Sequence, residues 1–470
     1  MRPRRLLFGM AVFCLAAIAL VPLSGPLARV RAGDPQPNTY SSIDDYYIAR
    51  GWTDGYASTP LVVKPRVRPA VDMPYKVQLP AILEGPAPKE TRALWVTRWD
   101  FRDTPDEGRR DIGTIADKAA YAHFNTILFQ VRGAADAVYA SQIEPWWATS
   151  SHPLGQDPGW DPLATMIEQA HAKGLEVHAW INVCPAWYSA TIPSPSVVPL
   201  PMLLDFNARY GNEWIQWGKP TSRSTPAPMP LRPANYLCAS PAHPAVVDRI
   251  IAVCRDLLTR YDLDGLHFDY IRYDDYIYSY DPLSERAYAA ALAAEPGLAR
   301  AEWQRRQING LLERVRREVL PLRPSARLSA AVWPCYIYQD SWGWPGWNIN
   351  HDGYHGYYQD SQGWAQRGLV DGVMPMLYSV SFHDYPERFK AMVHDYVEGS
   401  RPGGVIAGIV GDYTSFQEIA WRIDTARANG ARGQAILSYR VLAWQEKQGY
   451  DYWTALRETR YQRVAVPDWP

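Results

Sequence analysis

A chain of 470 residues, 47% of them hydrophobic, has ample material for a large core. Its 48 basic and 49 acidic residues nearly cancel, so it carries no electrostatic footprint for nucleic acid or for an anionic membrane surface. The 20 Trp and 30 Tyr are many for a soluble chain; such rings suit ordinary packing and also stacking on the apolar C–H faces of sugars.

The chain opens on a basic stretch, Met1-Arg-Pro-Arg-Arg5, followed by an uncharged apolar run from Leu6 to Leu23. Small residues at Val30-Arg-Ala32 suit a signal peptidase, so residues 1–32 read as an export signal or a retained membrane anchor. The protein is therefore expected to be secreted or held in the cell envelope, touching membrane only through that anchor. Residues 33–88 are rich in Pro and Tyr without a sustained period and read as an extended segment. Residues 89–460 read as one barrel domain and 461–470 as a C-terminal tail.

From about Glu90 short apolar strands alternate with amphipathic helices, the pattern of parallel βα units. Strand one is Ala93–Trp99, followed by a helix near Ile115–His123. Strand two is Thr126–Arg132, followed by a helix over Pro162–Lys173. Strand three is Leu175–Asn182. A helix over Pro244–Arg260 leads to strand four, Gly265–Tyr273. A long helical stretch, Leu283–Leu320, leads to strand five, Arg327–Trp333. A helix near Tyr357–Arg367 precedes strand six, Gly372–Tyr378. A helix at Pro386–Val397 precedes strand seven, Val405–Val410, and a helix at Ser415–Asn429 precedes strand eight, Gln434–Arg440. Gly174, Gly368 and Gly430 punctuate helix ends as C-caps do. Eight units predict a (β/α)₈ TIM barrel with an extended N-terminal segment and a long loop after strand three. A doubly wound open sheet is the alternative, but no Gly-rich phosphate turn supports it. The loop 183–242 carries many Pro residues with Trp187, Tyr188, Trp214 and Trp217, and fits no helical period.

Four cysteines lie beyond the signal. Cys184 and Cys238 flank the loop after strand three and are the favoured disulfide pair, whereas Cys254, among Ile250, Ile251 and Leu257, reads as a buried thiol. No CxxC or Cys/His metal spacing occurs, and neither a metal nor a cofactor is expected.

Side chains alternate between the two faces of a strand. Applied to each strand, the alternation collects a polar and aromatic set on the inner face. Strand two gives Gln130 and Arg132. Strand three gives His178, Trp180 and Asn182. Strand four gives His267 and Asp269, strand six gives Tyr378, and strand eight gives Tyr439. Such a set at the C-terminal ends of barrel strands suits a neutral polyhydroxylated ligand. Asp264 and Asp371 start strands four and six, at the end where barrels place stabilising rather than catalytic groups.

Several motifs occur in order: Glu90-Thr-Arg-Ala-Leu-Trp-Val96, His123-Phe-Asn-Thr-Ile-Leu-Phe-Gln-Val-Arg132, Glu144-Pro-Trp146, Asp157-Pro-Gly-Trp-Asp-Pro-Leu163, Glu176-Val-His-Ala-Trp-Ile-Asn182, Asp264-Gly-Leu-His-Phe-Asp269 and Gly368-Leu-Val-Asp371. Over roughly residues 88–445 they make the chain resemble the glycosyl-hydrolase-like 10 domain family. The resemblance implies an exported barrel hydrolase, and a relative acts on peptide-free peptidoglycan glycans. Two features depart from the family pattern. Tyr270 stands where many members carry a second Asp, and Leu237-Cys-Ala-Ser-Pro241 replaces a Leu-Asn-Pro-Gly turn. Family 18 chitinases would carry Glu where this chain has Ile271.

Glycoside hydrolysis ordinarily uses two carboxyls across the scissile bond, one of them protonated. Asp269 is the expected acid, with burial beside aromatic rings favouring its protonated form. Asp136 and Glu144, in the loop after strand two, are the expected partners; Asp274, Asp275 and Asp412 are weaker ones. Arg132 either orients a carboxylate, binds an acidic sugar or forms a structural ion pair. The expected activity is a glycosidase acting on an envelope or extracellular polysaccharide. The rival readings are a non-catalytic carbohydrate-binding barrel and a metal-dependent hydrolase using His178, His267 and Asp269.

Overall fold

A computed structural model describes residues 86–470 except 150, 344–349, 351, 379–385 and 414. The expected signal or anchor, and nearly all of the extended segment before the barrel, lie outside the described residues. Among the described residues no helix is long and apolar enough to cross a membrane.

Eight parallel strands close into a barrel: β1 (Thr91–Val96), β2 (Thr126–Arg132), β3 (Glu176–Asn182), β4 (Gly265–Asp269), β5 (Arg327–Val332), β6 (Gly372–Pro375), β7 (Gly404–Val410) and β8 (Gly433–Leu437). Each strand pairs with its neighbours in sequence, and β8 returns to β1. Helices cover the outside, so the strands are buried on both faces and read as near-continuous apolar runs. The TIM-barrel expectation therefore holds.

The helices follow from local chemistry. Pro244 opens α4 (Pro244–Arg260), and Ile250, Ile251, Val253, Cys254, Leu257 and Leu258 form its buried stripe. Burying one such side chain stabilises the fold by about 1.5–3 kcal/mol. In α1 (Pro105–Tyr121), Asp106 and Glu107 lie in the first turn and Lys118 in the last, complementing the helix dipole. This helix begins ten residues before the expected start, because its first turns are polar and solvent-facing. The expected single helical stretch over 283–320 is two helices, α5 (Pro282–Ala294) and α6 (Arg300–Glu318). Pro296 cannot continue a helix, and Gly297 takes a left-handed φ of +93° between the two.

The excursion after β3 differs from the expectation. It contains a helix, α3 (Met202–Tyr210), closed by Gly211, and two short antiparallel ribbons, Pro185–Trp187 with Leu237–Cys238 and Trp217–Gly218 with Ala227–Pro228. Met202, Leu203, Phe206, Trp214 and Leu237 give it a small core of its own. Cys184 and Cys238 are both buried free thiols, so the expected disulfide is not formed. The ribbon closes the excursion instead, with the Ala239 amide donating to the Cys184 carbonyl at 2.8 Å.

The tail is part of the barrel floor. Val466 bridges to Lys89, and Trp469 donates to Glu176 at 2.9 Å while stacking on His178 with ring centroids 5.0 Å apart.

Candidate active site

The N-terminal end of the barrel holds structural carboxylates, as expected of that end. Asp264 accepts from the Val177 amide and from His171, both at 2.8 Å. Asp371 accepts from the Leu328 amide at 2.7 Å and pairs with Arg316 at 2.8 Å. Each ties the start of one strand to its neighbour.

His178 belongs to this floor and not to the mouth, which corrects the expectation that it lines a ligand site. It pairs in register with Gly265, four residues before Asp269. At about 3.3 Å per residue that is roughly 13 Å below the rim. Gly265 is required there, because a Cβ would lie 2.6 Å from His178 Nδ1. One layer up, His267 is spent inside the barrel. Its Nε2 accepts from the Trp95 indole at 3.0 Å, and its Nδ1 bonds Ser329 Oγ at 2.9 Å. Burial, with His178 nearby, lowers its pKa to about 3, so the ring is neutral. His178 and His267 thus do not converge on Asp269 as a metal triad would require. Among the described residues no group of three His, Cys, Asp or Glu side chains could hold a metal ion.

The rim is built by the register. Asn182, the last residue of β3, is the Cα partner of Asp269, the last of β4. Trp180 lies beneath and donates its indole N–H to Asn182 Oδ1 at 3.0 Å. Asn182 in turn donates to the Gly133 carbonyl at 3.2 Å. Asp269 is 1% exposed. Its Oδ1 accepts from the Tyr270 amide at 2.7 Å and faces Arg272 Nη1 at 3.5 Å. Tyr270 takes φ +50°, which ends β4 at Asp269 rather than at the expected Tyr273 and swings the chain so that Arg272 folds back over the carboxylate. The Arg272 guanidinium lies 4.1 Å from the Tyr270 ring centroid and 5.8 Å from that of Trp333. Trp333, just past β5, stacks with Tyr357 at 3.8 Å. Burial works against the Arg272 charge, but Asp269 beside it prevails and raises its pKa.

Two more residues reach the mouth. Tyr378 leans edge-on against Trp95, and its buried hydroxyl has no hydrogen-bond partner among the described residues. Burial, and then the nearby Asp269, hold its pKa well above the usual phenol value. Arg98 follows β1. Its amide donates to Gln130 Oε1 at 3.2 Å, and its guanidinium reaches Tyr236 Oη at 3.4 Å. Gly133 makes room for it, since a Cβ there would lie 1.4 Å from Arg98 Nη1. Tyr236, returning from the excursion, packs on both Tyr188 and Tyr270.

The loop after β2 is differently employed. Arg132 donates to both oxygens of Glu144, at 2.8 and 2.9 Å, with each side chain 1% exposed. Its Nη1 also donates to the carbonyls of Asn182, Val183 (3.3 Å) and Pro185 (3.0 Å). Of the alternatives for Arg132, this is the ion pair. Asp136 Oδ1 accepts from the Gly133 and Ala134 amides at 3.2 and 2.8 Å, shaping the turn that leaves β2. Tyr439 is not on strand eight. β8 stops at Leu437, and Tyr439 opens helix α11 (Tyr439–Lys447), packed against Trp453. The expected strand was too long because Gln434 to Arg440 alternates without a breaker.

Gln130, Trp180, Asn182, Asp269 and Tyr378 are thus inside the barrel's C-terminal half, whereas His178 and Tyr439 are elsewhere, and the bulge after Gln130 moves Arg132 onto the register of Ile181, off the inner face, where it pairs with Glu144. Sequence reasoning missed Arg98, Tyr236, Arg272, Trp333 and Tyr357. Trp333 lay within the expected strand five and shares the inward parity of Ser329, so the alternation could have found it; Arg98 has the outward parity of Val96 and is turned to the mouth only after β1 ends. Tyr236 and Tyr357 carry no such signal.

A polar and aromatic mouth above an inward Asp is what glycosidase barrels present, and sequence comparison decides the family. A sequence model described as "Glycosyl hydrolase-like 10" matches residues 90–405. The chain belongs to the glycosyl hydrolase-like 10 family. It is 24% identical over 324 residues to the glycosyl hydrolase YngK of Bacillus subtilis, covering 66% of this chain and 58% of that one. It is 26% identical over 278 residues to the glycosyl hydrolase DigH of Escherichia coli, covering 54% of each. The chain therefore spans a little over half the length of these curated relatives. In fold it is similar to the PgaB (BpsB) glycoside hydrolase domain of Bordetella bronchiseptica, with a TM-score of 0.57 at 14% identity over 81% of this chain and 100% of that one. It is also similar to the catalytic domain of a Paenibacillus polymyxa beta-amylase, with a TM-score of 0.51 at 11% identity over 76% and 94% of the two chains. This family member is a glycosidase-type TIM barrel.

Proposed function

We propose that the protein is an exported glycoside hydrolase acting on a cell-envelope or extracellular polysaccharide, such as the glycan strands of peptidoglycan, with Asp269 as general acid. The observation that carries this reading is the position of Asp269: inward, last in β4 and 1% exposed. That is where barrels of this architecture assemble chemistry. Arg272, 3.5 Å away, favours the ionised carboxylate, so substrate must draw that guanidinium off before Asp269 gives a proton. Asp269 protonates the leaving glycosidic oxygen as the C–O bond breaks, water supplies the new C–O bond at the anomeric carbon, and a sugar ring stacks on the neighbouring aromatic faces. The Tyr378 hydroxyl donates a hydrogen bond to the substrate, and Arg98, Asn182 and Tyr236 bind sugar hydroxyls. The basic n-region and apolar run at the N-terminus support export.

A non-catalytic carbohydrate-binding barrel is the second reading. It is favoured by one observation: Glu144 and Asp136, the expected partner carboxyls, are engaged by Arg132 and by loop amides. Product analysis separates the two. Purified protein incubated with a panel of envelope glycans, including peptide-free peptidoglycan strands, should release shorter glycans with new reducing ends. Retention of the glycan without cleavage would favour the binding barrel.

A further inference from the structure

The excursion after β3 rests on the barrel at the start of α4. Val246, in the first turn of that helix, belongs to the excursion's own core with Phe206 and Trp214, and Ala245 packs against it. His243 stands at this seam, immediately before Pro244, and is 5% exposed. Its amide donates to the Ser240 carbonyl and its carbonyl accepts from the Val246 amide, both at 3.0 Å, so its backbone is fixed on the barrel side. Its ring packs on Tyr210, the last residue of α3, with centroids 4.8 Å apart. The ring Nδ1 is buried and has no hydrogen-bond partner among the described residues. The imidazole thus serves as an apolar wedge between α3 and α4, and a charge placed on it would lose the solvation that water gives.

Two neighbours bring ionisable groups to the ring. The excursion brings Tyr210 and, just past α3, Glu213, whose carboxylate is held by Arg286 of α5 at 2.6 Å. The other group of α5 is its N-cap, Asp281, which already accepts from the hydroxyls of Ser240 at 3.1 Å, Ser284 at 2.7 Å and Ser279. The first turn of α4 has no acidic residue. Burial lowers the His243 pKa and prevails over the opposing pull of Asp281 and Glu213. The N-terminus of α4 likewise disfavours a cation there. The excursion also carries parts of the mouth. Tyr236 packs on Tyr270 beside Asp269, and Gln216 accepts from the Asp274 amide at 3.0 Å. Loosening the excursion from α4 therefore disturbs the rim.

We propose that His243 is an acid-sensitive latch: neutral, it docks the excursion on α4, and protonated, it releases the excursion and with it Tyr236 from the rim. The docked form binds the proton less tightly than the released form, whose imidazole is in water. Docking is therefore complete above the ordinary histidine value of about 6.5 and weakens as pH falls below it. The latch is a property of the fold and holds whether the barrel cleaves glycan or only binds it. The test is thermolysin digestion of the full chain at about pH 7.5 and 5.5, with cut sites assigned by mass spectrometry and rates normalised to an unfolded reference peptide. Cutting between residues 183 and 242 should rise severalfold at the lower pH, with about tenfold the most that one proton can give one unit below 6.5. His243→Phe keeps a ring against Tyr210 but cannot take the proton, and His243→Gln is a second neutral replacement. In whichever of them thermal unfolding shows to be folded, the rate should be the same at both pH values. His267 is unchanged in these variants, so its own response to acid cancels in the comparison. Equal protection of the wild-type excursion at both pH values would overturn the latch. So would a rise at low pH that a folded variant retains, or new cuts spread evenly over the barrel. A chain that shows the latch but neither binds nor cleaves glycan would sink the glycosidase reading alone.

Discussion

Glu144→Gln distinguishes a structural carboxylate from a catalytic one. In the folded chain Glu144 and Arg132 are each 1% exposed, and both Glu144 oxygens are bonded to the guanidinium. Removing one partner of such a pair costs about 3–5 kcal/mol, because the other charge stays buried. The lower end applies here. Gln keeps one carbonyl oxygen for Arg132, and the main-chain carbonyls of Asn182, Val183 and Pro185 still accept from Nη1. A loss of about 3 kcal/mol in a chain this long corresponds to a Tm lower by about 4 °C. The measurement pairs thermal unfolding with the rate of glycan cleavage per folded molecule at a temperature well below either Tm. The expected outcome is a clear drop in Tm with a rate within about tenfold of wild type, far from the loss a general acid or base would show. An unchanged Tm together with a rate down by about a hundredfold or more would refute the structural assignment and return Glu144 to the chemistry.

Two further outcomes follow from the packing around the mouth. Gly133→Ala places a methyl group 1.4 Å from Arg98 Nη1 and must displace that guanidinium; glycan binding, measured by calorimetry on Asp269→Asn, should weaken by about tenfold, roughly the worth of one charged hydrogen bond, and the same change should have little effect once Arg98 is already Ala. His267 has a folded pKa of about 3 against an ordinary value of 6.5, so the unfolded chain takes up the proton first. Its contribution to stability is full above pH 6.5 and is lost as pH falls from 6.5 towards 3, an amount on the order of 5 kcal/mol; Tm measured between pH 7 and 4 should therefore fall less steeply in His267→Gln than in wild type, and parallel curves would contradict the buried neutral assignment.

The barrel was legible because parallel strands buried on both faces leave apolar runs at regular spacing, and Thr126–Arg132 is recovered to the residue. Strand ends were harder to read. Alternation alone cannot tell that Tyr270 turns left-handed, that Pro375 ends β6, or that Tyr439 belongs to a helix. Inward register was also not enough to assign depth. His178 and Asp269 share the inner face, yet one lies on the floor beneath Trp469, a residue 291 positions further along the chain, and the other is at the rim. The roles of Glu144 and Arg132 depend on a contact across twelve residues of irregular loop, which no periodicity encodes. Tyr236 reaches the mouth only because a ribbon returns the excursion to β3.

The most direct test of the glycosidase reading is the rate of glycan cleavage by Asp269→Asn. The substitution is nearly isosteric, and the amide oxygen can still accept from the Tyr270 N–H; it strips the counter-charge from buried Arg272, 3.5 Å away, so the fold should survive with a lowered Tm. The amide has no carboxyl proton to give, and the rate on a natural glycan should fall by about 10²–10⁴-fold. A substrate with a very good leaving group, which needs less protonation, should lose less. A folded Asp269→Asn protein that cleaves the natural glycan at near wild-type rate would contradict the assignment of the acid to the end of β4.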